Sequence, residues 1–341
     1  MKFLVIGLGS MGKRRIRNLQ YLKAGEIIGF DIKEDRRKET KEKFGIDVFS
    51  NFKKAIDAKP DAFIICNPPN LHMEYAKIAA ENDIHFFMEL NMSTGPMEAL
   101  IEICKKKDIV AAPSCTMRFH PNIRLMKTLF ESNRIGKIVA FTYHSGQYLP
   151  DWHPWEDYHN FFASQRETGG CKEIILFELV WILWLFGNIE KVLSMKKKTT
   201  ILDSDIDDIY QILLQFKNGS IGHLLVDVVS RISTRNLTVV GQKGTIEWNW
   251  IDDVIKLYDA EEKKWTEIKN REAYKDKGYK YIEFMYIEEM RSFLQAIKEK
   301  KQYNYSLSKD LKILKIFEAI EKNSTNQKYI TIQKRCDKYN F

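Results

Sequence analysis

Cysteine is scarce in this chain of 341 residues, which has five. Cys66, Cys104, Cys115, Cys171 and Cys336 are scattered with no C-x-x-C pair, which argues against a disulfide framework and against a zinc site. Reduced, mostly buried thiols are the expectation. Long apolar runs are missing as well. Ile174 to Phe186 is almost wholly apolar but too short to cross a bilayer, so no membrane is expected as a partner. The opening residues already read as a strand, which leaves no room for a secretory leader, and the expected location is cytoplasmic. There is no internal repeat, low-complexity segment, arginine-rich arm, zinc finger or base-stacking motif. Nucleic acid is therefore not an expected partner despite a net charge of +8, because the lysines fall in runs such as Lys105-Lys106-Lys107 and Lys196-Lys197-Lys198 that read as solvated faces or turns. No group of His, Cys, Asp and Glu has the spacing of metal ligands, so no metal is expected.

What is present begins at the first residues. Lys2 to Ile6 is a buried-strand pattern that stops on Gly7-Leu8-Gly9-Ser10-Met11-Gly12 and passes into a stretch of helical spacing from Lys13 to Leu19. In this G-x-G-x-x-G, Gly7 turns the chain off the strand, Gly9 lets the backbone approach a pyrophosphate, and Gly12 lets the helix lie close to the sheet. Glycines in this pattern also occur in ordinary turns. Here, however, a second apolar run, Ile27 to Phe30, ends on Asp31, whose carboxylate is placed to accept the adenosine ribose hydroxyls. Asp31 favours NAD over NADP, since it would repel a ribose phosphate; Lys33, Arg36 and Arg37 leave NADP open.

The length suggests two domains, and a 44% hydrophobic, 29% charged composition can fill a core in each. After Asp31 the alternation of helices and apolar strands continues: helix Glu34 to Phe44, strand Val48-Phe49, helix Phe52 to Ala58, strand Ala62 to Cys66. Next come a helix through His72 and Ala79 that Asn70 can cap, strand His85 to Glu89, helix Pro96 to Lys107 and strand Ile109 to Ala112. Such continuous apolar strands indicate a parallel sheet buried on both faces. The alternation ends near Arg118-Phe119-His120-Pro121, which places a nucleotide-binding domain at 1–119 and a second domain at 120–341. The second domain reads as α+β, with helices over Ile123 to Phe130 and Ile174 to Phe186. Its strands fall at Ile138 to Tyr143, Tyr210 to Phe216, Ile221 to Val228, Asn236 to Val240, Thr245 to Trp250 and Val254 to Tyr258. Asn218-Gly219 marks a hairpin between two of them, and the sheet is largely antiparallel. Polar helices from Tyr281 to Ile297 and from Ser308 to Asn323 close the chain.

Taken in order, the first βαβ unit, Asn67-Pro68-Pro69-Asn70-Leu71-His72, the Glu89 strand end, Arg118-Phe119-His120-Pro121 and Gly241-Gln242-Lys243-Gly244-Thr245 resemble the Gfo/Idh/MocA oxidoreductases over nearly the whole length. The stretch from Tyr148 to Tyr158 looks like the subgroup acting on sugars or their derivatives. The resemblance implies a Rossmann domain and a C-terminal open sheet that forms the substrate pocket and joins subunits into a homodimer or homotetramer. It also implies hydride transfer between NAD and a secondary alcohol or ketone of a sugar, nucleotide sugar or cyclitol. Coenzyme contacts would come from Gly7, Gly9, Ser10, Met11, Gly12, Asp31, Asn67, Pro68, His72 and Glu89, with His72 equally able to cap or pack.

Two departures stand out. The family's Glu-Lys-Pro reads Glu89-Leu90-Asn91, so its lysine is Leu90, and the aspartate and acid/base histidine of its later motif fall on Ile174 and Phe177. Neither can move a proton. Either the proton work has moved to Lys172, Glu173, His153 or Tyr158, or the chain binds nucleotide and sugar without dehydrogenase activity, as a sensor or assembly partner. Substrate contacts are expected from Arg118, Trp152, Arg166 and Glu178. Arg166 could equally pair on the surface, and Trp152 could simply pack. Glu178 lies in an apolar helix, where a carboxylate must be paired, protonated or in the pocket.

Overall fold

The computed structural model describes residues 1–152, 154, 156–199, 201–269 and 281–326. His153 and Cys336 lie outside the described residues. In the first lobe, β1 (Lys2–Ile6), β2 (Glu26–Phe30), β3 (Asp47–Phe49), β4 (Ala62–Ile65), β5 (His85–Met88) and β6 (Ala111–Pro113) alternate with five helices. These are α1 (Ser10–Tyr21), α2 (Glu34–Phe44), α3 (Phe52–Asp57), α4 (His72–Glu81) and α5 (Met97–Cys104). The strands pair in parallel in the order β3-β2-β1-β4-β5-β6. Phe3 to Ile6, Ala62 to Ile65 and Phe86 to Met88 are buried, as expected of strands covered on both faces.

Local chemistry sets the helix ends. Gly45 closes α2 in the left-handed conformation at φ +66, and the Asn51 side chain accepts from Lys54 N to open α3. The expected Asn70 cap is not formed. Pro69–Leu71 makes a short 3-10 turn instead, and Leu71 holds the cap position of α4.

The second lobe is built on eight strands: β7 (Ile138–Tyr148), β8 (Ile189–Lys197), β9 (Ile209–Phe216), β10 (Ile221–Asp227), β11 (Val229–Gly241), β12 (Gly244–Asn249), β13 (Val254–Asp259) and β14 (Lys264–Lys269). Its helices are α6 (Pro121–Glu131), α7 (Cys171–Phe186), α8 (Tyr281–Lys298) and α9 (Leu307–Asn326). The strand order is β14-β13-β12-β11-β7-β10-β9-β8, antiparallel throughout except for the central β7–β10 pair. Gly219, at φ +89, turns the β9–β10 hairpin as expected. In the lysine run 196–198, Lys196 and Lys197 end a strand rather than forming a turn. Lys196 pairs with Asp207 and Glu321 at 2.9 and 3.0 Å.

One face of this sheet packs on α7, with Phe141 stacked on Phe186 at 4.0 Å and Tyr143 edge-on to Trp181 at 5.0 Å between ring centroids. The close approach needs Gly222, where a Cβ would lie 2.3 Å from the Phe141 ring. On the other face Leu193, Leu213 and Ile221 are 45–55% exposed. The last two helices turn back toward the first lobe. α8 lies on α1 through Arg14–Glu283 and Arg15–Glu289 and on β5 through Phe87–Phe293, while α9 docks on β8. The division at 119/120 falls between the two sheets, although α8, far beyond it in sequence, completes the layer over α1. Among the described residues no helix is long and apolar enough to cross a membrane, and no His/Cys/Asp/Glu group could hold a metal ion.

Candidate coenzyme and substrate site

The strand order reverses direction between β1 and β4, and ligands of doubly wound sheets bind outside the carboxyl ends of the strands at that point. Gly7 and Asn67 stand there. Gly7 takes φ +89 and a Cβ on it would lie 2.6 Å from Asn67 N, while a Cβ on Gly12 would lie 1.9 Å from the Gly7 carbonyl oxygen. Neither position can carry a side chain. Gly9 differs: an added Cβ would meet only the Arg36 guanidinium, at 3.4 Å, so a flexible side chain, not backbone, lies over the loop. No side chain caps α1, and its first turn holds no acid. The amides of Ser10, Met11 and Gly12 are therefore available to an anion. This cradle fits the pyrophosphate of a dinucleotide.

Asp31 is buried at the end of β2. Its carboxylate accepts Leu8 N at 2.7 Å and Lys33 N at 2.8 Å, with Arg36 Nη1 3.9 Å away. These bonds fix the carboxylate beside the loop, where an adenosine ribose would sit. On the other side of the crevice both side-chain polar atoms of Asn67 are buried without a partner. A buried amide left unbonded is costly and marks a place where a ligand can bond. His72 has a different position. Its buried Nε2–H donates to the Asn67 carbonyl at 2.6 Å, and burial pushes its pKa down to about 4. The ring braces the Asn67-Pro68 turn, and its Nδ1 is buried without a hydrogen-bond partner.

Glu89 follows β5 and meets the second lobe. Its Oε1 accepts Arg15 Nε at 2.6 Å. In the first turn of α7, Glu173 has its Oε2 buried without a partner. Burial, and after it the charge of Glu89, pushes this carboxyl up to about 8. Glu173 and Phe177 are four residues apart and share one face of α7. The glutamate therefore stands one turn before the position where the resemblance led us to expect a histidine.

The other predicted residues disperse. Lys172 Nζ donates to the Arg166 carbonyl at 2.7 Å and points away from Glu173 into a surface loop. Arg166 pairs with Asp205 at 3.1 Å, both well exposed, which is its surface reading. The Tyr158 hydroxyl accepts Asp203 N at 3.1 Å. Trp152 keeps a buried indole N–H without a partner, on a loop pinned to the end of β10 by Leu149 N to Val228 O. The Arg118 guanidinium lies over the Trp184 and Tyr305 rings at 4.9 and 5.5 Å.

Glu178 corrects an expectation. It is fully buried and accepts from Tyr143, Ser145, Trp181 and Arg235 at 2.5–3.1 Å. With four donors it is paired within the core, which leaves a substrate no place on it. Sequence reasoning also missed Arg15, which is fully enclosed. A signal for it existed: Gly12, Arg15, Ile16 and Leu19 form the buried face of α1, so the arginine stands at an inward position of the helical repeat.

A dinucleotide grip at the switch point of a 3-2-1-4-5-6 sheet defines the class, an NAD-binding oxidoreductase of Rossmann type. The profile described as oxidoreductase family, NAD-binding Rossmann fold matches residues 1–113, and that of the GFO/IDH/MocA C-terminal domain matches residues 123–247. The chain belongs to the GFO/IDH/MocA family of oxidoreductases. It is 26% identical over 320 residues to the myo-inositol 2-dehydrogenase of Thermotoga maritima, covering 87% of this chain and 88% of that one. It is 25% identical over 246 residues to the levoglucosan dehydrogenase of Pseudarthrobacter phenanthrenivorans, covering 62% of each. Among solved structures, a levoglucosan dehydrogenase in complex with NADH superposes with a TM-score of 0.84 at 20% identity, covering 95% of this chain and 97% of the other. An oxidoreductase from Agrobacterium radiobacter in complex with NAD+, L-tartaric acid and magnesium gives 0.83 at 16% identity, covering 96% of each. At these identities the superpositions speak for the fold.

Proposed function

We propose that the protein transfers a hydride between NAD and a secondary alcohol or ketone of a sugar, nucleotide sugar or cyclitol, with Glu173 as the acid/base. The observation that carries this reading is Glu173 in the first turn of α7, whose Oε2 is buried without a partner and whose carboxyl is pushed up by burial and by the charge of Glu89. Oxidation of a carbinol releases two hydrogens, one as a proton from oxygen and one as a hydride from carbon. The nicotinamide, when bound, supplies the hydride acceptor. Glu173 in its carboxylate form takes the hydroxyl proton and in the reverse direction returns it to the carbonyl oxygen. A group held up to about 8 by burial can exist in both forms at working pH, which is what a reversible dehydrogenase requires. This carboxyl supports catalysis over the binding-only alternative.

In this reading residues 1–119 form the coenzyme domain and residues 120–341 the substrate and assembly domain. Gly7, Gly9, Ser10, Met11 and Gly12 hold the pyrophosphate and Asp31 the adenosine ribose. Asn67, Pro68 and Glu89 line the nicotinamide end, and Arg118 and Trp152 the substrate side. The exposed apolar face around Leu193, Leu213 and Ile221 supports association into a homodimer or homotetramer through the second sheet. Buried free thiols at Cys115 and Cys171 suit a cytoplasmic location.

The test is to titrate NAD and NADP and to screen sugars and cyclitols for formation of the reduced nicotinamide, with Glu173→Gln alongside. The variant is expected to keep NAD affinity and lose about a hundredfold to ten-thousandfold in turnover. Unchanged turnover would remove Glu173 from the reaction.

A further inference from the structure

One buried charge cluster is used by nothing described so far. Arg15, on the helix whose amino end faces the pyrophosphate cradle, is fully enclosed. Its Nε donates to Glu89 Oε1 at 2.6 Å and its Nη2 to Glu289 Oε2 at 2.7 Å, while Nη1 donates to the Tyr286 carbonyl at 3.3 Å. The guanidinium lies over the Phe87 ring at 4.5 Å and the Tyr286 ring at 5.1 Å. Glu289 is fully buried too, and accepts Cys115 N at 2.5 Å, Thr116 Oγ1 at 2.7 Å and Ser114 Oγ at 3.2 Å. An amide and a guanidinium can only donate, so Glu289 stands as a carboxylate. Two carboxylates thus share one guanidinium, which leaves the cluster with one uncompensated negative charge. The neighbouring cations of the helix, Arg14 and Arg17, pair with Glu283 at 2.8 and 3.3 Å and keep 25% and 35% of their side chains exposed, where water and salt screen them.

The place of this charge follows from the sheet. Glu89 N donates to Ile65 O at 3.0 Å, two residues before Asn67, so Glu89 stands at the carboxyl ends of the β4–β5 pair. Asp31, at the end of β2, marks the adenosine half of the crevice. A dinucleotide crosses the switch point between β1 and β4, so its nicotinamide half lies over β4 to β6. Arg15 and Glu289 expose none of their side chains and Glu89 exposes 14%. Glu89 is therefore the member of the cluster that a ligand can reach.

We infer that the Glu89–Arg15–Glu289 cluster biases the site toward the oxidised coenzyme, whose nicotinamide ring is a cation, and against the reduced coenzyme, whose ring is neutral. Both forms carry the same adenine, riboses and pyrophosphate, so the glycine loop and Asp31 hold them alike. Only the ring charge differs, and a fixed negative charge shielded from water acts on it strongly. Each tenfold gain in this preference lowers the potential of the bound couple by about 30 mV and loosens the reduced coenzyme after an oxidation. The inference rests on the placement of Glu89 at the nicotinamide end and is independent of the role of Glu173.

The test is calorimetric titration of the wild type, Glu89→Gln and Glu289→Gln with NAD+, NADH and ADP-ribose, which lacks the ring, at one pH and one salt concentration. Glutamine at 89 keeps an acceptor for Arg15 and removes the charge nearest the ring. Glutamine at 289 removes a charge that no ligand touches. Glu89→Gln is expected to weaken NAD+ relative to NADH by about tenfold and Glu289→Gln by about threefold, with ADP-ribose within about twofold of wild type in both. A ratio of NAD+ to NADH affinity unmoved in both variants would overturn the inference. So would a loss shared by ADP-ribose, the mark of a distorted fold. A ratio moved by Glu89→Gln while Glu289→Gln leaves it at the wild-type value would reduce Glu89 to a local contact and overturn the role of the cluster. If Glu89→Gln weakens NAD+ and NADH equally and spares ADP-ribose, the placement of Glu89 stands and the inference alone fails. If it changes neither coenzyme, the placement fails as well. Should Glu289→Gln not fold, the ratio in Glu89→Gln decides.

Discussion

Replacing Glu173 with glutamine is expected to make the coenzyme-free protein more stable while disabling it. In an unfolded chain this carboxyl ionises around its ordinary 4.5, whereas the folded site holds its proton to about 8. Between those values the unfolded state binds fewer protons, so the glutamate contributes less and less to stability as pH rises through the window. Each pH unit corresponds to about 1.4 kcal/mol, which sets a ceiling of about 5 kcal/mol above pH 8. Part of the residue is reached by water, so roughly half of that, about 2 kcal/mol, is the working figure. Glutamine keeps the volume and carries no charge. Chemical denaturation of both proteins at a pH near the ordinary glutamate value and again near 8 measures the difference. The variant should match the wild type at the lower pH and exceed it by about 2 kcal/mol at the higher one. A difference independent of pH, or a destabilised variant at the higher pH, would refute the claim that this carboxyl is held protonated by burial.

The glycine loop supplies a contrasting pair. Gly12→Ala drives a Cβ into the Gly7 carbonyl oxygen and is expected to cost stability as well as NAD binding. Gly9→Ala displaces only the Arg36 side chain, so its melting temperature should stay near wild type while NAD affinity falls about tenfold or more by calorimetry, because a methyl group then stands where the backbone must touch phosphate. Arg235→Met leaves Glu178 buried without its cation and should cost about 3–5 kcal/mol in denaturant unfolding. His72 and His120 are pushed down to about 4 and about 3 by burial, so the unfolded chain takes up protons below about 6.5 that the folded chain refuses, and stability falls with pH from there down. His72→Gln, which keeps a donor for the Asn67 carbonyl, should flatten that acid slope. An unchanged slope would contradict the buried-imidazole account.

The coenzyme half of the fold could be read in the sequence because its signals are local. The turn at Gly7, the helix contact at Gly12 and the Asp31 strand end lie within one βαβ unit, and each is dictated by a steric or electrostatic demand of neighbouring residues. The strands β8 and β14 escaped sequence reading for a physical reason. They are the two edges of the second sheet, and natural edges are kept polar and lysine-rich against further pairing, as in Glu190-Lys191 and Lys196-Lys197 or Lys263-Lys264. Glu178 was recognised as needing a partner, but Arg235 lies 57 residues away and no periodicity announces it. The Arg15–Glu289 clamp spans 274 residues, and only the inward position of Arg15 on α1 hints at it. Glu173 stood among several proton carriers in the sequence. Its separation from Lys172 became visible only when α7 placed adjacent residues on different faces.

The most direct test follows reduced-nicotinamide formation with a turned-over sugar or cyclitol across the pH range around 8, for the wild type and for Glu173→Gln, with NAD binding measured on the same samples. The account predicts wild-type oxidation that rises through about pH 8, a variant slowed at least about a hundredfold, and equal affinity for NAD. A variant that turns over at the wild-type rate with the same pH dependence, or a wild-type protein that binds neither NAD nor NADP, would contradict it.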